Sequence, residues 1–418
     1  MLVKIMALAF LVFAIALGFL KKINVGLVSL GLVLILSKIG NIETNIIYKG
    51  FPGKLFITLL GTMFFFSLLQ ENRTLEILSK KMVALAGIHT NLIPIIIYLV
   101  SFALSAAGPG AISVQSVMVI FAVSLAMQMQ TSPILLASMA ILGAVGGTAS
   151  PIALTGIIVS DFTAEMGYVD METPVFLGVS VGNVICALAL YIIFKGYKLN
   201  TDFTTTSKKL PKFNKEQLVG LILAMLLIVL VVGFRYDVGL VSFTLSIILI
   251  LTKAADEKIA IKIIPWNVLI LICGVNVLMA VTKEMGGIDF LSETLSFFMN
   301  KRTAAPIMGL TAGIMSWFSS ANGVVLPTLI PTVPGIISGI GEGTSVVEMI
   351  ISIVASATVA GISPLSTGGS LILASYSQET NTNEKEQQKL FGKLFLTSFF
   401  AVIIIFIISL VGIFKIFN

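Results

Sequence analysis

Four short stretches rich in small and hydroxyl-bearing residues interrupt apolar segments of the chain. They cover residues 105–113, 146–156, 319–328 and 360–370, and none contains a charged residue or a histidine. Each contains both Gly and Pro, which oppose a continuous helix. Backbone carbonyls freed by such a break, together with hydroxyl oxygens, are hard ligands suited to Na⁺, and the N-termini of half-helices offer N–H groups to carboxylates. The composition therefore predicts a site for a cation and an anion together.

The surroundings of these stretches are those of a membrane protein. The chain has 418 residues, of which 57% are hydrophobic and 11% charged, and its mean hydropathy is +1.06; soluble proteins carry about 25% charged residues. The recurring apolar runs can each cross about 30 Å of hydrocarbon as a helix. The net charge of +6 comes from basic residues that punctuate these runs, which favours membrane topology over nucleic-acid binding. We therefore expect a multi-pass integral membrane protein with no nucleic-acid partner.

Residues typical of enzymes are absent from the breaks. The single histidine, His89, precedes an apolar run, and Cys186 and Cys273 lie in apolar segments without metal-binding spacing, so we expect interfacial and packing roles. The acids nearest a break, Asp161 and Glu165, lie at the end of a span, which favours sodium over proton coupling. We expect a transporter rather than an enzyme; the alternative is a membrane-anchored enzyme or assembly factor.

The chain contains two copies of one unit, offset by 213 positions. The words NVGLVS and DVGLVS recur at this offset, as do Pro52 with Pro265, Gly61 with Gly274, and the Ser-Pro pairs at 150–151 and 363–364. A register that holds over such a distance indicates an internal repeat. We place the first repeat at 1–198, a cytoplasmic linker at 199–216 and the second repeat at 217–418.

Each repeat is predicted to contain five transmembrane helices, one of them broken, and a re-entrant helical hairpin. The hairpin tips fall near 105–113 and 319–328, and the broken helices near 146–156 and 360–370. An amphipathic stretch precedes each hairpin, at 71–82 and 288–300. Five crossings invert the second repeat relative to the first. The predicted fold class is thus an all-α polytopic membrane protein with two inverted-topology repeats that present similar sites to the two sides.

The distribution of lysine and arginine predicts which side is cytoplasmic. One set of loops, which includes Lys21, Lys22, Arg73, Lys253 and Lys258, is richer in basic residues than the other. The positive-inside rule assigns that set to the cytoplasm. Both termini are then outside a bacterial cytoplasmic (inner) membrane, the first hairpin enters from the cytoplasm and the second from outside.

With its paired hairpins, broken helices and inverted repeats, the chain resembles the ion transporter superfamily, and within it the divalent anion:sodium symporters and MatC-type dicarboxylate carriers. In that family a Ser-Asn-Thr motif at each hairpin tip, with the adjacent broken helix, holds sodium and the substrate carboxylates. Family members are dimers that move a transport domain against a fixed scaffold, in an elevator motion. The resemblance therefore implies a homodimer and an elevator mechanism for this chain.

The resemblance also implies which residues form the site. The second tip reads SANG, and the first reads SAAGPG without Asn or Thr, so that Ser105 and nearby backbone would serve there. The residues implied for the substrate are Ser105, Gly108, Pro109, Gly110, Thr155, Ser320, Asn322, Gly323 and Thr367. Those implied for sodium are Ser105, Gly110, Thr148, Ser150, Ser320, Asn322, Ser363 and Ser366.

Asn322 is the one amide in its break, and an unpaired amide in an apolar setting costs about 1 to 3 kcal/mol. We expect its partner to be a ligand or neighbouring backbone.

These observations lead to a functional expectation. We expect a secondary transporter that couples Na⁺ to the symport of a small organic dianion resembling a C4-dicarboxylate, bound at the midplane between the two tips. The runner-up is a cation/proton antiporter of the same superfamily.

Overall fold

The structure, a computed structural model, describes residues 1–83, 90–199, 212–341, 343–379 and 384–417. Across these residues the regular structure is entirely helical. His89 and most of the expected linker lie outside the described residues. The all-α prediction is confirmed.

The described residues of the first repeat form ten α-helices. In chain order they are α1 (Leu2–Lys21), α2 (Val25–Gly40), α3 (Thr44–Lys49), α4 (Gly53–Glu71), α5 (Thr74–Val83), α6 (Ile93–Ala106), α7 (Gly110–Gln128), α8 (Pro133–Gly147), α9 (Leu154–Glu165) and α10 (Glu172–Ile193). The amphipathic helix α5 begins slightly later than the sequence predicts because α4 continues to Glu71.

The second repeat follows the same order. Its helices are α11 (Lys215–Ile228), α12 (Val238–Leu251), α13 (Glu257–Ile263), α14 (Trp266–Glu284), α15 (Gly287–Phe297), α16 (Ala304–Phe318), α17 (Leu326–Leu329), α18 (Val333–Ile340), α19 (Val346–Val359), α20 (Thr367–Glu379) and α21 (Glu384–Val411). Seven of them, α11 to α15, α19 and α20, begin 213 positions after a helix of the first repeat.

Length and composition allow many of these helices to cross a bilayer. The described residues contain seven helical segments long and apolar enough to do so, and six shorter apolar helices of 10–17 residues. The shorter ones include α6, α8 and α16, which a hairpin arm or half-helix would require. The chain is therefore an integral membrane protein.

The two repeats interlock at two helix crossings, where α2 packs on α14 and α4 packs on α12. A Cβ atom on Gly274 would overlap the backbone of Gly26, and one on Gly61 would overlap the backbone of Gly239. Small residues allow such close approach between membrane helices. Gly26 corresponds to Gly239 in the repeat, and Gly61 to Gly274, so the same crossing is made twice with the roles of the repeats exchanged.

The repeated sequence VGLVS lies at these two crossings. Asn24 caps α2 by accepting a 2.9 Å bond from the N–H of Gly26, and Asp237 caps α12 by accepting one of the same length from Leu240. The side-chain amide of Asn24 also donates to the carbonyl of Asn267, 2.8 Å away, beside the start of α14. Each word therefore begins a helix and supplies the glycine that the opposite repeat packs against.

The hairpins differ in their second arms. In the first hairpin, α6 and α7 are joined by a turn and α7 is one continuous helix. In the second, α16 is followed by a π-helical turn (Ala321–Val325), α17, a 3₁₀ turn (Ile330–Thr332) and α18. Pro327, Pro331 and Pro334 each remove a backbone donor, which accounts for the changes of helix type.

We predict that the glycine crossing is essential to the packing of the repeats. Gly26→Ala should lower the free energy of unfolding by about 1 to 3 kcal/mol, because the methyl group has no space against α14. The matched control is Gly31→Ala on the same helix, where a Cβ would meet no atom within 4 Å. Thermal unfolding in detergent measures both; equal effects would contradict the assigned crossing.

Candidate functional site

The break of the first repeat and the hairpin tip of the second repeat meet through side chains. The Thr155 hydroxyl donates to Oδ1 of Asn322 at 2.9 Å, and it lies 3.3 Å from the hydroxyl oxygen of Thr148. Thr155 and Thr148 are fully buried, whereas Asn322 is half-buried. Of the two expected partners of Asn322, neighbouring backbone is wrong for Oδ1, which accepts a bond from a side chain 167 positions away. A ligand as partner stays a prediction.

In the first break, two backbone N–H groups share one carbonyl acceptor. The backbone N–H groups of Thr155 and Gly156 both donate to the carbonyl oxygen of Thr148, at 3.0 and 3.1 Å. Two donors at the start of α9 are thus satisfied without a side-chain cap. The hydroxyl of Thr148 faces that of Thr155, 3.3 Å away. The break therefore holds two threonine hydroxyls beside each other at the end of α8 and the start of α9.

A Ser-Pro pair and a later glycine shape both breaks in the same way. A Cβ atom on Gly156 would overlap the carbonyl of Ser150, and one on Gly369 would overlap the carbonyl of Ser363. Only glycine lets the chain pass so close to itself. Because Gly156 and Gly369 are repeat counterparts, this self-crossing is a common feature of the two breaks.

The first hairpin tip turns toward the same threonine. Gly108 and Gly110 have φ angles of +129° and +74°, which strongly favour glycine. A Cβ on Gly110 would lie 3.5 Å from the hydroxyl oxygen of Thr148, and one on Gly108 would overlap Phe66 of α4. The tip thus fits between the first break and α4.

The N-terminus of α7 is open at this tip. Pro109 occupies the cap position and provides no side-chain hydrogen bond. In contrast, the tip of the second repeat is capped by Ser320, whose hydroxyl accepts a 3.1 Å bond from the N–H of Gly323. Within the described residues no side chain caps α7, so its first-turn N–H groups can donate to an anion, and the helix dipole favours negative charge there.

The second break uses its hydroxyls internally. Ser366 donates to the carbonyl oxygens of Gly361 and Ser363, at 2.5 and 2.7 Å, and the hydroxyl of Ser363 accepts a 3.3 Å bond from Leu365. The helix after the break, α20, packs on α7. Within the described residues, Ser363, Ser366 and Thr367 form no hydrogen bond with Thr155 or Asn322. The structure therefore groups Gly110, Thr148, Thr155 and Asn322, and it places the second break beside the first hairpin arm.

The two breaks also differ in exposure. Leu365, Thr367 and Ser370 of the second repeat are exposed, whereas all three counterparts in the first repeat are buried. These counterparts are Ile152, Leu154 and Ile157. The second break thus exposes three positions that are buried in the first, whereas Pro151 is exposed in the first break and its counterpart Pro364 is buried.

The tips contact the central helices at different heights. Gly108 lies against Phe66, near the C-terminal end of α4, whereas Gly323 lies against Leu271, near the N-terminal end of α14. The repeat counterpart of Phe66 is Met279, eight residues beyond Leu271, and this corresponds to about 12 Å along a helix. In an inverted arrangement, both tips are displaced toward the same end of α4 and α14.

A cleft of about 580 Å³ lies at the other end of α4, where it separates α9 from α4 and α14. Asp161 and Glu165 of α9 line it together with Lys54 and Lys283. Lys54 acts electrostatically on Asp161, and Lys283 on Glu165. The sequence pattern does not reveal this group, because its members come from separate elements and only the two acids share a helix.

We predict that Thr155 and Asn322 are energetically coupled. In a double-mutant cycle of Thr155→Val and Asn322→Ala, thermal stability in detergent should show a coupling of about 0.6 kcal/mol, the average for such bonds in a membrane protein, and at most about 1.7 kcal/mol. The control cycle pairs Asn322→Ala with Thr282→Val, because Thr282 is equally buried but donates to Leu278 within its own helix. Additivity in both cycles would contradict the contact.

Comparison with known proteins covers the first third of the chain. Residues 1–148 match the family model described as the N-terminus of the dicarboxylate carrier protein MatC. The matched region runs from α1 to the end of α8 and includes the first hairpin. No curated protein matches the chain. Together with the membrane-spanning helices, this match confirms the resemblance: the chain is an integral membrane protein similar to the MatC-type dicarboxylate carriers.

Proposed function

We propose that the protein is a secondary transporter that carries a small C4-dicarboxylate-like dianion together with Na⁺. The observation that carries this proposal is the contact between Thr155 and Asn322, which joins the break of one repeat to the tip of the other. The first tip reaches the same place through Gly110, beside Thr148. The family match supports a dicarboxylate as the substrate class.

The dianion would be bound by neutral donors. The four broken segments contain no lysine or arginine, so the carboxylates need N–H groups and amides. The free N–H groups at the start of α7 provide one set of donors. The side-chain amide of Asn322 provides another, because its Oδ1 is taken by Thr155 and its NH₂ group has no partner within the described residues. The start of α7 in the first repeat and the Asn322 amide in the second repeat would thus hold the two ends of one dianion.

Sodium would be bound by the oxygens of the breaks. The hydroxyls of Thr148 and Thr155 lie together, and each keeps lone pairs for a cation. Ser150 and Ser363 occupy equivalent places in their breaks, with Ser366 near Ser363. No acid lies in the four segments, and this supports sodium rather than a proton as the coupling ion.

The asymmetry of the two repeats supports alternating access by an elevator-type movement. Both tips are displaced toward the end of α4 that precedes Arg73, which belongs to the Lys- and Arg-rich side. Leu365, Thr367 and Ser370 of the second break are exposed, whereas their counterparts in the first break are buried. With that side cytoplasmic, this state is open inward, and exchange of the roles of the repeats would give the outward state. The proposal includes a homodimer in the bacterial inner membrane with both termini outside.

A second candidate is a cation/proton antiporter of the same superfamily. The observation in its favour is the pair of acids on α9, Asp161 and Glu165, which line the cleft next to the broken segment. An acid on a moving helix could carry a proton. In liposomes without any anion substrate, the antiporter would dissipate a pH gradient when Na⁺ is added, whereas the symporter would not.

We predict uptake of a labelled C4-dicarboxylate by proteoliposomes under an inward Na⁺ gradient. Asn322→Ala should raise the half-saturating substrate concentration about ten- to a hundredfold, a loss of about 1.4 to 2.8 kcal/mol, because it removes the amide donor. Pro109→Ala, at the equivalent position of the first tip, should have a milder effect through backbone shape. Absence of uptake of any dicarboxylate under sodium or proton gradients would overturn the proposal.

A further inference from the structure

Where α6, α8 and α10 of the first repeat meet, four buried oxygen atoms have no hydrogen-bond partner among the described residues. They are the hydroxyls of Tyr98, Ser101 and Ser105 and the Oδ1 atom of Asn183. Ser101, Ser105 and Asn183 are 0% exposed, and Tyr98 is 5% exposed. We refer to this place as the α6–α8–α10 junction.

Glycines of α8 bring these residues together. A Cβ atom on Gly143 would lie 2.8 Å from the Cβ of Ser101, and one on Gly147 would lie 3.0 Å from the Cβ of Ser105. One on Gly146 would lie 3.1 Å from the Cβ of Asn183. The three glycines share one face of α8, so the side chains from α6 and α10 converge on that face.

Tyr98 completes the group from α6. It precedes Ser101 by one helical turn, and its ring stacks on Phe102 with centroids 6.1 Å apart. Phe102 in turn packs against Gly146, beside Asn183. Phe102 also stacks on Phe176 of α10, with ring centroids 6.0 Å apart. The ring of Phe102 thus links Tyr98 to α10.

Four buried oxygen atoms without hydrogen-bond partners destabilise the fold if nothing binds to them. Leaving a buried polar group unpaired costs about 1 to 3 kcal/mol, and buried polar groups in native proteins are generally paired. The amide nitrogen of Asn183 donates to the carbonyl of Val179 at 2.9 Å. Its Oδ1 atom, which can only accept, is the atom that lacks a partner. The nearby hydroxyls do not come within hydrogen-bond distance of it.

In the second repeat, the equivalent interface between α16, α19 and α21 has most of its polar groups hydrogen-bonded. There, Ser316 of α16 donates to the carbonyl of Ala357 at 2.6 Å, and Trp317 donates to Ser398 of α21 at 3.0 Å. The hydroxyl of Ser398 in turn donates to the carbonyl of Ala360 at 3.0 Å. Among the described residues of α16, α19 and α21, only Ser356 has an unpartnered buried oxygen. The unpaired oxygens of the first repeat are therefore not a necessity of the fold.

We propose that the α6–α8–α10 junction binds a Na⁺ ion through Tyr98, Ser101 and Asn183, with Ser105 on the side of the hairpin tip. All the available ligands are neutral oxygens, which suit a hard cation. The ion would connect α6 to α10 and so fix the first tip before the dianion binds. This inference rests on the proposed sodium coupling, but it places the ion away from Thr155 and Asn322.

The experiment measures thermal stability of the full chain in detergent against NaCl concentration, with KCl keeping the ionic strength constant and no dicarboxylate present. Tyr98→Phe, Ser101→Ala and Asn183→Leu should each raise the Na⁺ concentration for half-maximal stabilisation at least tenfold. Tyr98→Phe keeps the ring and its packing, so it reports on the oxygen even if Asn183→Leu fails to fold. The matched control, Ser316→Ala in the second repeat, should leave that concentration unchanged.

The outcomes separate this site from the proposed function. If the three variants keep the wild-type Na⁺ dependence while Thr155→Val or Asn322→Ala changes it, the junction holds water or nothing, and the inference is wrong although transport stands. If the wild-type protein takes up dicarboxylate without any stabilisation by Na⁺, the inference fails together with sodium coupling. If it neither takes up a dicarboxylate nor responds to Na⁺, the proposed function itself is wrong.

Discussion

Backbone that leaves the helical conformation inside a bilayer must find partners for its N–H and C=O groups, and the rest of this structure depends on that constraint. At the first break, the carbonyl of Thr148 takes two N–H groups from the start of α9. At the second, Ser366 donates to two carbonyls of its own break. Where a group stays open, as at the start of α7, a ligand has a place to bind.

Close backbone packing makes these breaks possible. Gly156 and Gly369 let each break cross its own chain, and Gly26 and Gly61 let α2 and α4 touch helices of the opposite repeat. The first group shapes the part of each repeat that would bind substrate, and the second group joins the two repeats at the central helices. In the proposed transport cycle, a displacement of the tips along α4 and α14 would change which break is exposed without breaking the glycine crossings.

The sequence predicted the helical fold well because hydrophobic runs and helix breakers act locally. Asn24 and Asp237 begin helices with the same offset that their repeated words indicate, and both interruptions fall where Gly and Pro cluster. The candidate site was harder to predict. The bond between Thr155 and Asn322 joins residues 167 positions apart, and no periodic pattern encodes such a contact. Likewise, the unpaired oxygens around Asn183 become visible only when three helices are packed together.

The central claim is that the first break, the first tip and the second tip form one binding site. An experimental structure of the full chain in a lipid environment, with Na⁺ and a C4-dicarboxylate present, tests this claim most directly. The account predicts dianion density within hydrogen-bond distance of the Asn322 amide and the first-turn N–H groups of α7. Density only in the cleft lined by Asp161, Glu165, Lys54 and Lys283, with the Thr155–Asn322 region unoccupied, would contradict it.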